Sequence, residues 1–124
     1  MPPCSEKTTL TGTWKLKGYL NLETDTLHLN PNTDDRGVVL TFKDAEKAGT
    51  IVGHTVSNEV YGTYTLLEGC LVDFSGFGGT KRGENEWSGK VWALMQGKAD
   101  YSVIGQTLNL DFYELKTRMV FVKN

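Results

Sequence analysis

The chain has 124 residues, 39% of them hydrophobic and 23% charged, and a formal net charge of -2. That is the composition and length of one globular domain with a core of its own. The balance offers no basic field for phosphate backbones or anionic lipid, which excludes nucleic acid as a partner. No apolar run approaches the ~20 residues of a membrane helix. The opening M-P-P-C-S-E-K lacks the charged-then-apolar layout of a signal peptide, so the chain as given is expected to be soluble, and a cytoplasmic location stays open.

Residues 1–9 read as a flexible N-terminal segment and 10–124 as a single domain. Most of the latter alternates with period two, the signature of strands with one dry and one wet face. The first strand carries G-T-W-K-L from Gly12 to Leu16, the way many lipid-carrying barrels begin, with Trp14 and Leu16 on one face. Leu20 to Arg36 contains Pro31 and a dense cluster of Asn, Asp and Thr. It reads as a long loop or an edge hairpin in which Leu27 and Leu29 alternate around His28. Val38, Leu40 and Phe42 share the next inner face, followed by Ile51, by Val60 and Tyr61 leading into G-T-Y-T-L, and by Cys70, Val72 and Phe74. From Glu84 to Gln96 the period changes: Trp87, Val91, Leu94 and Met95 form one helical stripe, with Trp92 to its side. Glu84 and Glu86 suit the positive end of that helix and Gly97 its C-terminal end. Gly89 in its interior costs roughly 1 kcal/mol relative to Ala, a cost that close approach to the sheet would explain. Tyr101 and Val103, then Leu108, Leu110 and Phe112, then Met119 and Phe121 complete about eight strands.

The segments Gly62–Phe74 and Ala99–Phe112 echo each other, each running from a Tyr through a Gly turn to Asp-Phe. Two hairpins of any barrel would look alike in this way, and so would an internal repeat. The two cysteines, Cys4 and Cys70, lie too far apart in sequence to constitute a disulfide framework, and a single disulfide between them stays open as an alternative. Cys70 is expected to point into the core as a small hydrophobe. Cys4 is expected to be a free thiol at a frayed terminus, with a lipid anchor on it as the alternative.

The series G-T-I-V-G-H-T-V-S-N-E-V-Y-G-T-Y, then G-G-T-K-R-G-E-N-E-W, the helix, Y-S-V-I-G-Q-T-L-N-L and M-V-F resembles the META domain family, which includes the HslJ heat-shock proteins of bacteria. The resemblance runs from Leu10 to Val122, and Asn58, Gly62, Thr80, Glu84, Glu86 and Trp87 carry its most specific parts. It implies a small α+β fold: a strongly curved antiparallel sheet or partial barrel packed on one late amphipathic helix. It also implies a periplasmic, outer-membrane-associated or secreted accessory protein, in a family linked to stress resistance and to motility or secretion. Many members carry a cysteine before the Asn and another after the Thr, where this chain has Ser57 and Gly83. The staple that would argue for export is therefore absent at those places.

Residues with the reactivity for catalysis are scattered. His28 and His54 sit in no metal-ligand spacing, and no nucleophile motif or phosphate loop occurs. Gly76, Gly78 and Gly79 precede the helix without Walker spacing or a parallel βαβ unit. Glu84 with Glu86, and Asp34 with Asp35, are explained by helix-end electrostatics and a solvated loop. A catalytic Glu84 or Glu86 would need a cleft and a strongly perturbed carboxylate. The chain is thus expected to be non-enzymatic and to need no metal or cofactor, with an unidentified protein or hydrophobic small molecule as its partner. Trp14, Tyr61 and Tyr64 form the candidate ligand groove. The second functional reading is a lipocalin-like or fatty-acid-binding-like carrier holding an apolar ligand inside the barrel. A late helix, and none after the first strand, speaks against that pattern.

Overall fold

The computed structural model describes residues 4, 5, 7–32 and 34–124. In chain order these form β1 (Gly12–Asn21), β2 (Leu27–Leu29), β3 (Val39–Ala45), β4 (Ala48–His54), β5 (Glu59–Leu67), β6 (Leu71–Phe74), β7 (Gly78–Gly79), α1 (Glu86–Leu94), β8 (Gly97–Ile104), β9 (Thr107–Phe112) and β10 (Thr117–Lys123). The sheet runs β10-β9-β8-β6-β5-β4-β3-β1, and β1 pairs back onto β10. All of these pairings are antiparallel. The result is a closed eight-stranded barrel with one helix, mostly β. The expected antiparallel barrel with one late helix is present, closed rather than partial. β1 reaches β10 from Trp14 opposite Lys123 to Asn21 opposite Thr117, so neither of these two strands is left as an edge of the barrel.

A bulge between Leu16 and Gly18 sets which face of β1 is dry. The extra residue turns Tyr19 inward after Trp14 and Leu16, and all three are buried. Gly18 then faces β2, where an added Cβ would lie 2.7 Å from the His28 carbonyl oxygen. The Leu20 to Arg36 segment is the expected edge hairpin: β2 pairs with the lower part of β1, and Leu27 and Leu29 are exposed. β5 branches in the same way, pairing with β6 through Tyr64–Leu67 and with β7 through Val60–Tyr61. Both short strands meet α1: the His28 carbonyl of β2 accepts the Trp87 indole, and Gly79 of β7 lies close to the Trp92 ring.

Eight strands enclose a space that side chains just fill. Here the filling is aromatic, with ring centroids 5.7 Å apart for Phe42 and Tyr64, 6.3 Å for Tyr64 and Phe74, and 6.2 Å for Phe74 and Phe112. Gly49 makes room for the Tyr64 ring, which an added Cβ would meet at 2.2 Å. The Phe74–Phe112 stack joins the two echoing segments, which form the hairpins β5–β6 and β8–β9.

The lower end of the barrel is covered by α1. Trp87, Val91, Leu94 and Met95 are all buried, as the stripe predicts. The helix is shorter than the expected Glu84–Gln96, because the Asn85 side chain accepts the Ser88 amide and so begins the helix at Glu86. Tyr19 donates its hydroxyl to the Trp87 carbonyl at 2.7 Å, and the Trp87 indole donates to the His28 carbonyl at 3.0 Å. Gly89 is not a point of close approach, which corrects its expected role. A Cβ there would meet nothing nearer than Glu84 at 4.0 Å.

The upper end is covered by the N-terminal segment. Ser5 is buried and accepts the Val103 amide at 2.7 Å, Leu10 is buried, and its carbonyl accepts the Trp14 indole at 2.9 Å. Thr9, Thr11 and the Leu10 amide all donate to Asp44. Residues 1–3 and 6 of the segment expected to be flexible lie outside the described residues. Cys4 and Cys70 form a disulfide, which corrects the free thiol expected at Cys4. Cys70 stands in the turn before β6 with φ 60°, partly buried against the core as well as bonded to Cys4. A Cys4 sulfur shared with Cys70 is not available as a thioether anchor for lipid.

Two changes test these ends. Gly89→Ala is expected to raise the unfolding free energy by roughly 0.5–1 kcal/mol in urea titration, since neither φ nor a neighbour requires glycine there. Cys70→Ser opens a loop closed by residues 66 apart and is expected to cost about 2–4 kcal/mol in the same titration.

Candidate functional site

Three of the residues singled out in the sequence, Asn58, Thr80 and Glu84, meet at the lower end of the barrel, in a polar network linking the β4–β5 turn, the segment after β7 and α1. The turn is built by its own sequence. Thr55 donates its amide to the Asn58 carbonyl at 2.9 Å, and the Asn58 amide donates to the Thr55 hydroxyl at 3.1 Å. That geometry turns the Asn58 side chain inward, where it is 2% exposed. Its amide donates to the Arg82 carbonyl at 3.0 Å, and its oxygen accepts the Arg82 amide at 2.6 Å and the Thr80 hydroxyl at 2.8 Å. Asn58 therefore treats residues 80–82 as a backbone partner, satisfying groups that no strand reaches. Arg36 closes the outside of the turn, donating to the carbonyls of Thr55 and Val56 at 3.0 Å and of Asn58 at 3.2 Å.

Glu84 is the centre of the network. One carboxylate oxygen accepts the Ser57 amide at 3.0 Å and the Ser88 hydroxyl at 2.6 Å. The other accepts the Thr55 hydroxyl at 2.7 Å and the Trp92 indole. Burial alone would raise its pKa, but the donations from Ser88, Thr55, Trp92 and Ser57 outweigh it and hold the carboxyl below its ordinary range. A carboxylate so saturated stays ionised near neutrality and has no proton to give as a general acid. Its chemistry here is cohesion: four donors from two segments converge on one charge. Of the two positions where the resemblance would put a disulfide, Ser57 donates its amide to this carboxylate and Gly83 precedes it in sequence.

The other expected site residues separate. Glu86 is exposed in the first turn of α1, so it does not pair with Glu84. Trp87 lies in the core. Gly62 permits the close passage of Gly76 and Phe77, whose backbone an added Cβ would meet at 3.0 Å. Trp14 and Tyr64 are buried, whereas Tyr61 is 62% exposed on the opposite face of β5, beside Val52. The three therefore form no common groove. Alternation decides this, because Val60 and Tyr61 are consecutive and only one of them faces inward. His54 faces its neighbour's carbonyl at 3.1 Å, and β2 carries His28 in the open. Among the described residues no group of three or more His, Cys, Asp or Glu is gathered for a metal. None of their helices is long and apolar enough to cross a membrane.

Two further polar clusters are structural and were not marked in the sequence. Asp44 accepts Thr9, Thr11, the Leu10 amide and, at 2.8 Å, the Tyr64 hydroxyl. Burial and then that bond to Asp44 push the Tyr64 phenol well above its ordinary range. Asp111 and Arg118 form a two-bond ion pair at 2.6 and 3.0 Å. Asp100 lies opposite Asp111, and burial followed by the Asp111 charge raises its carboxyl.

Replacing Glu84 by Gln leaves the same shape with one acceptor oxygen and an amide that repels donors. The expected loss at neutral pH is roughly 2 kcal/mol. For Glu84 the folded-state pKa lies below the ordinary 4.5, so its contribution is fully present above that value and lost as pH falls through the folded one. The stability gap between wild type and Glu84→Gln, followed by urea titration at successive pH values, is expected to shrink below about pH 4.5.

No family model matches the chain, and no curated protein matches it. Its fold is similar to that of a protein from Burkholderia xenovorans solved by NMR, with a TM-score of 0.69 over 95% of this chain and 83% of the other. The two sequences are 17% identical, and the likeness is one of fold alone.

Proposed function

We propose that this chain is a non-enzymatic accessory protein of the cell envelope or of secreted material, META-like in plan, that acts by binding rather than by chemistry. The observation that carries the reading is the state of Glu84. The best-placed carboxylate at the helix start is spent on four internal donors and held ionised, so it serves the fold. The Cys4–Cys70 disulfide supports an oxidising compartment, because such bonds are rare where thiols are kept reduced. A carrier with its ligand inside the barrel has against it the ring contacts that run from Phe121 through Phe42, Tyr64 and Phe74 to Phe112. Trp14, Leu40 and Trp87 are buried in the same core.

Thiol alkylation of the denatured protein taken from its own cells, before and after reduction, tests the compartment by intact mass. Envelope or secreted material is expected to take up label only after reduction, at both cysteines. Full labelling without reduction, on protein found in the cytosolic fraction, contradicts the reading.

A further inference from the structure

Most glycines of this chain are explained by the fold. Gly12, Gly37, Gly69, Gly97 and Gly105 have positive φ, and at Gly18, Gly49, Gly53, Gly62 and Gly79 an added Cβ would come within 3.0 Å of a backbone or ring atom. Gly76 and Gly89 retain a neighbour at 3.2 and 4.0 Å. Only at Gly78 and Gly83 does an added Cβ meet nothing within 4 Å while φ stays ordinary. Neither backbone conformation nor packing requires glycine at these two positions. Both line the same depression of about 540 Å³ beside the start of α1. Its volume falls within the roughly 300–1,000 Å³ of small-molecule sites.

The depression has a consistent chemistry. Its wall is the Phe77–Trp92 pair, with ring centroids 5.4 Å apart and planes inclined by 58°. The Trp92 indole N–H is tied to Glu84, which fixes the ring in place. Lys81 and Arg82 line the same depression, both exposed, and among the described residues neither side chain has an ion-pair partner. Glu84 also lines it, with both oxygens already engaged by internal donors. A rigid aromatic wall, two cations with no ion-pair partner among the described residues and two bare glycines suit a flat ring carrying a negative group. We infer that this depression binds a small planar aromatic anion, an aryl carboxylate or aryl phosphate, with the ring against Trp92 and Phe77, the anion at Lys81 and Arg82, and Gly78 and Gly83 left bare to admit it.

The inference is independent of the compartment: reduced thiols in the cytosol would sink the reading above and leave this one standing. It is tested by titrating the full chain with 2-naphthoate, and in parallel with the neutral 2-naphthalenemethanol, while following amide and indole NMR shifts. Naphthoate is expected to move the signals of residues 77–84 and the Trp92 indole. Removing the charge, either with the alcohol or with Lys81→Ala/Arg82→Ala, is expected to weaken binding at least about tenfold. Gly78→Val and Gly83→Val place a side chain in open space, so each is expected to abolish binding with its thermal midpoint unchanged. The inference is overturned by no shift at millimolar naphthoate, by shifts elsewhere on the barrel, or by variants that fold and bind like the wild type.

Discussion

A helix of nine residues packs on the barrel through one buried face, and its N-terminal end is tied down by one carboxylate. Glu84 lies two residues before the helix begins, at the point where the chain leaves β7 and has no ladder to follow. Its oxygens gather the Thr55 hydroxyl and Ser57 amide from the β4–β5 turn and the Ser88 hydroxyl and Trp92 indole from the helix. Charge-assisted bonds are about twice as strong as neutral ones, and four of them share this centre. The network gives α1 an anchor at its N-terminal end, while Trp87, Val91, Leu94 and Met95 supply the apolar face.

Closing a barrel removes its edges and leaves two open ends, and a chain of this length must stop both with what remains. The lower end takes the helix, with the short strands β2 and β7 meeting it. The upper end takes the N-terminal segment. It is held by the same device in smaller form, a single carboxylate, Asp44, receiving donors from Thr9, Leu10, Thr11 and Tyr64, with the disulfide to Cys70 beyond it. Burial would raise Asp44 as it would Glu84, and in both the donated hydrogen bonds prevail and lower the pKa. The interior between the two ends is filled by rings. With the interior filled, the surface left for recognition is the outside of the barrel, and the depression beside the start of α1 is part of it.

Much of this was legible in the sequence because it follows from period. Alternation placed Trp14, Leu16, Leu40, Phe42, Ile51, Val72, Phe74, Leu108, Leu110, Met119 and Phe121 in the core, and the change of period at Trp87 marked the helix with its buried stripe. Partnership between distant segments was not legible. Closure depends on β1 meeting β10, and the disulfide joins residues 66 apart, neither of which leaves a local trace. Asn58, Thr80 and Glu84 stood out as a motif, but their partners Thr55, Ser88 and Arg36 are ordinary polar residues whose roles arise only in the fold. Tyr61 obeys the same period: Val60 holds the inner face, so Tyr61 points outward, away from Trp14 and Tyr64. Within the helix, Gly89 shows the reverse, a residue that invites a packing reason and has none.

Native-state hydrogen exchange on wild type and Glu84→Gln tests most directly whether one carboxylate holds the helix to the barrel. With the anchor removed, amides of α1 and of residues 55–58 are expected to lose protection together, while those of β3, β4, β9 and β10 near the upper end keep theirs relative to global unfolding. Protection in α1 that stays level with the barrel strands would contradict this, and would assign the hold on the helix to its apolar face alone.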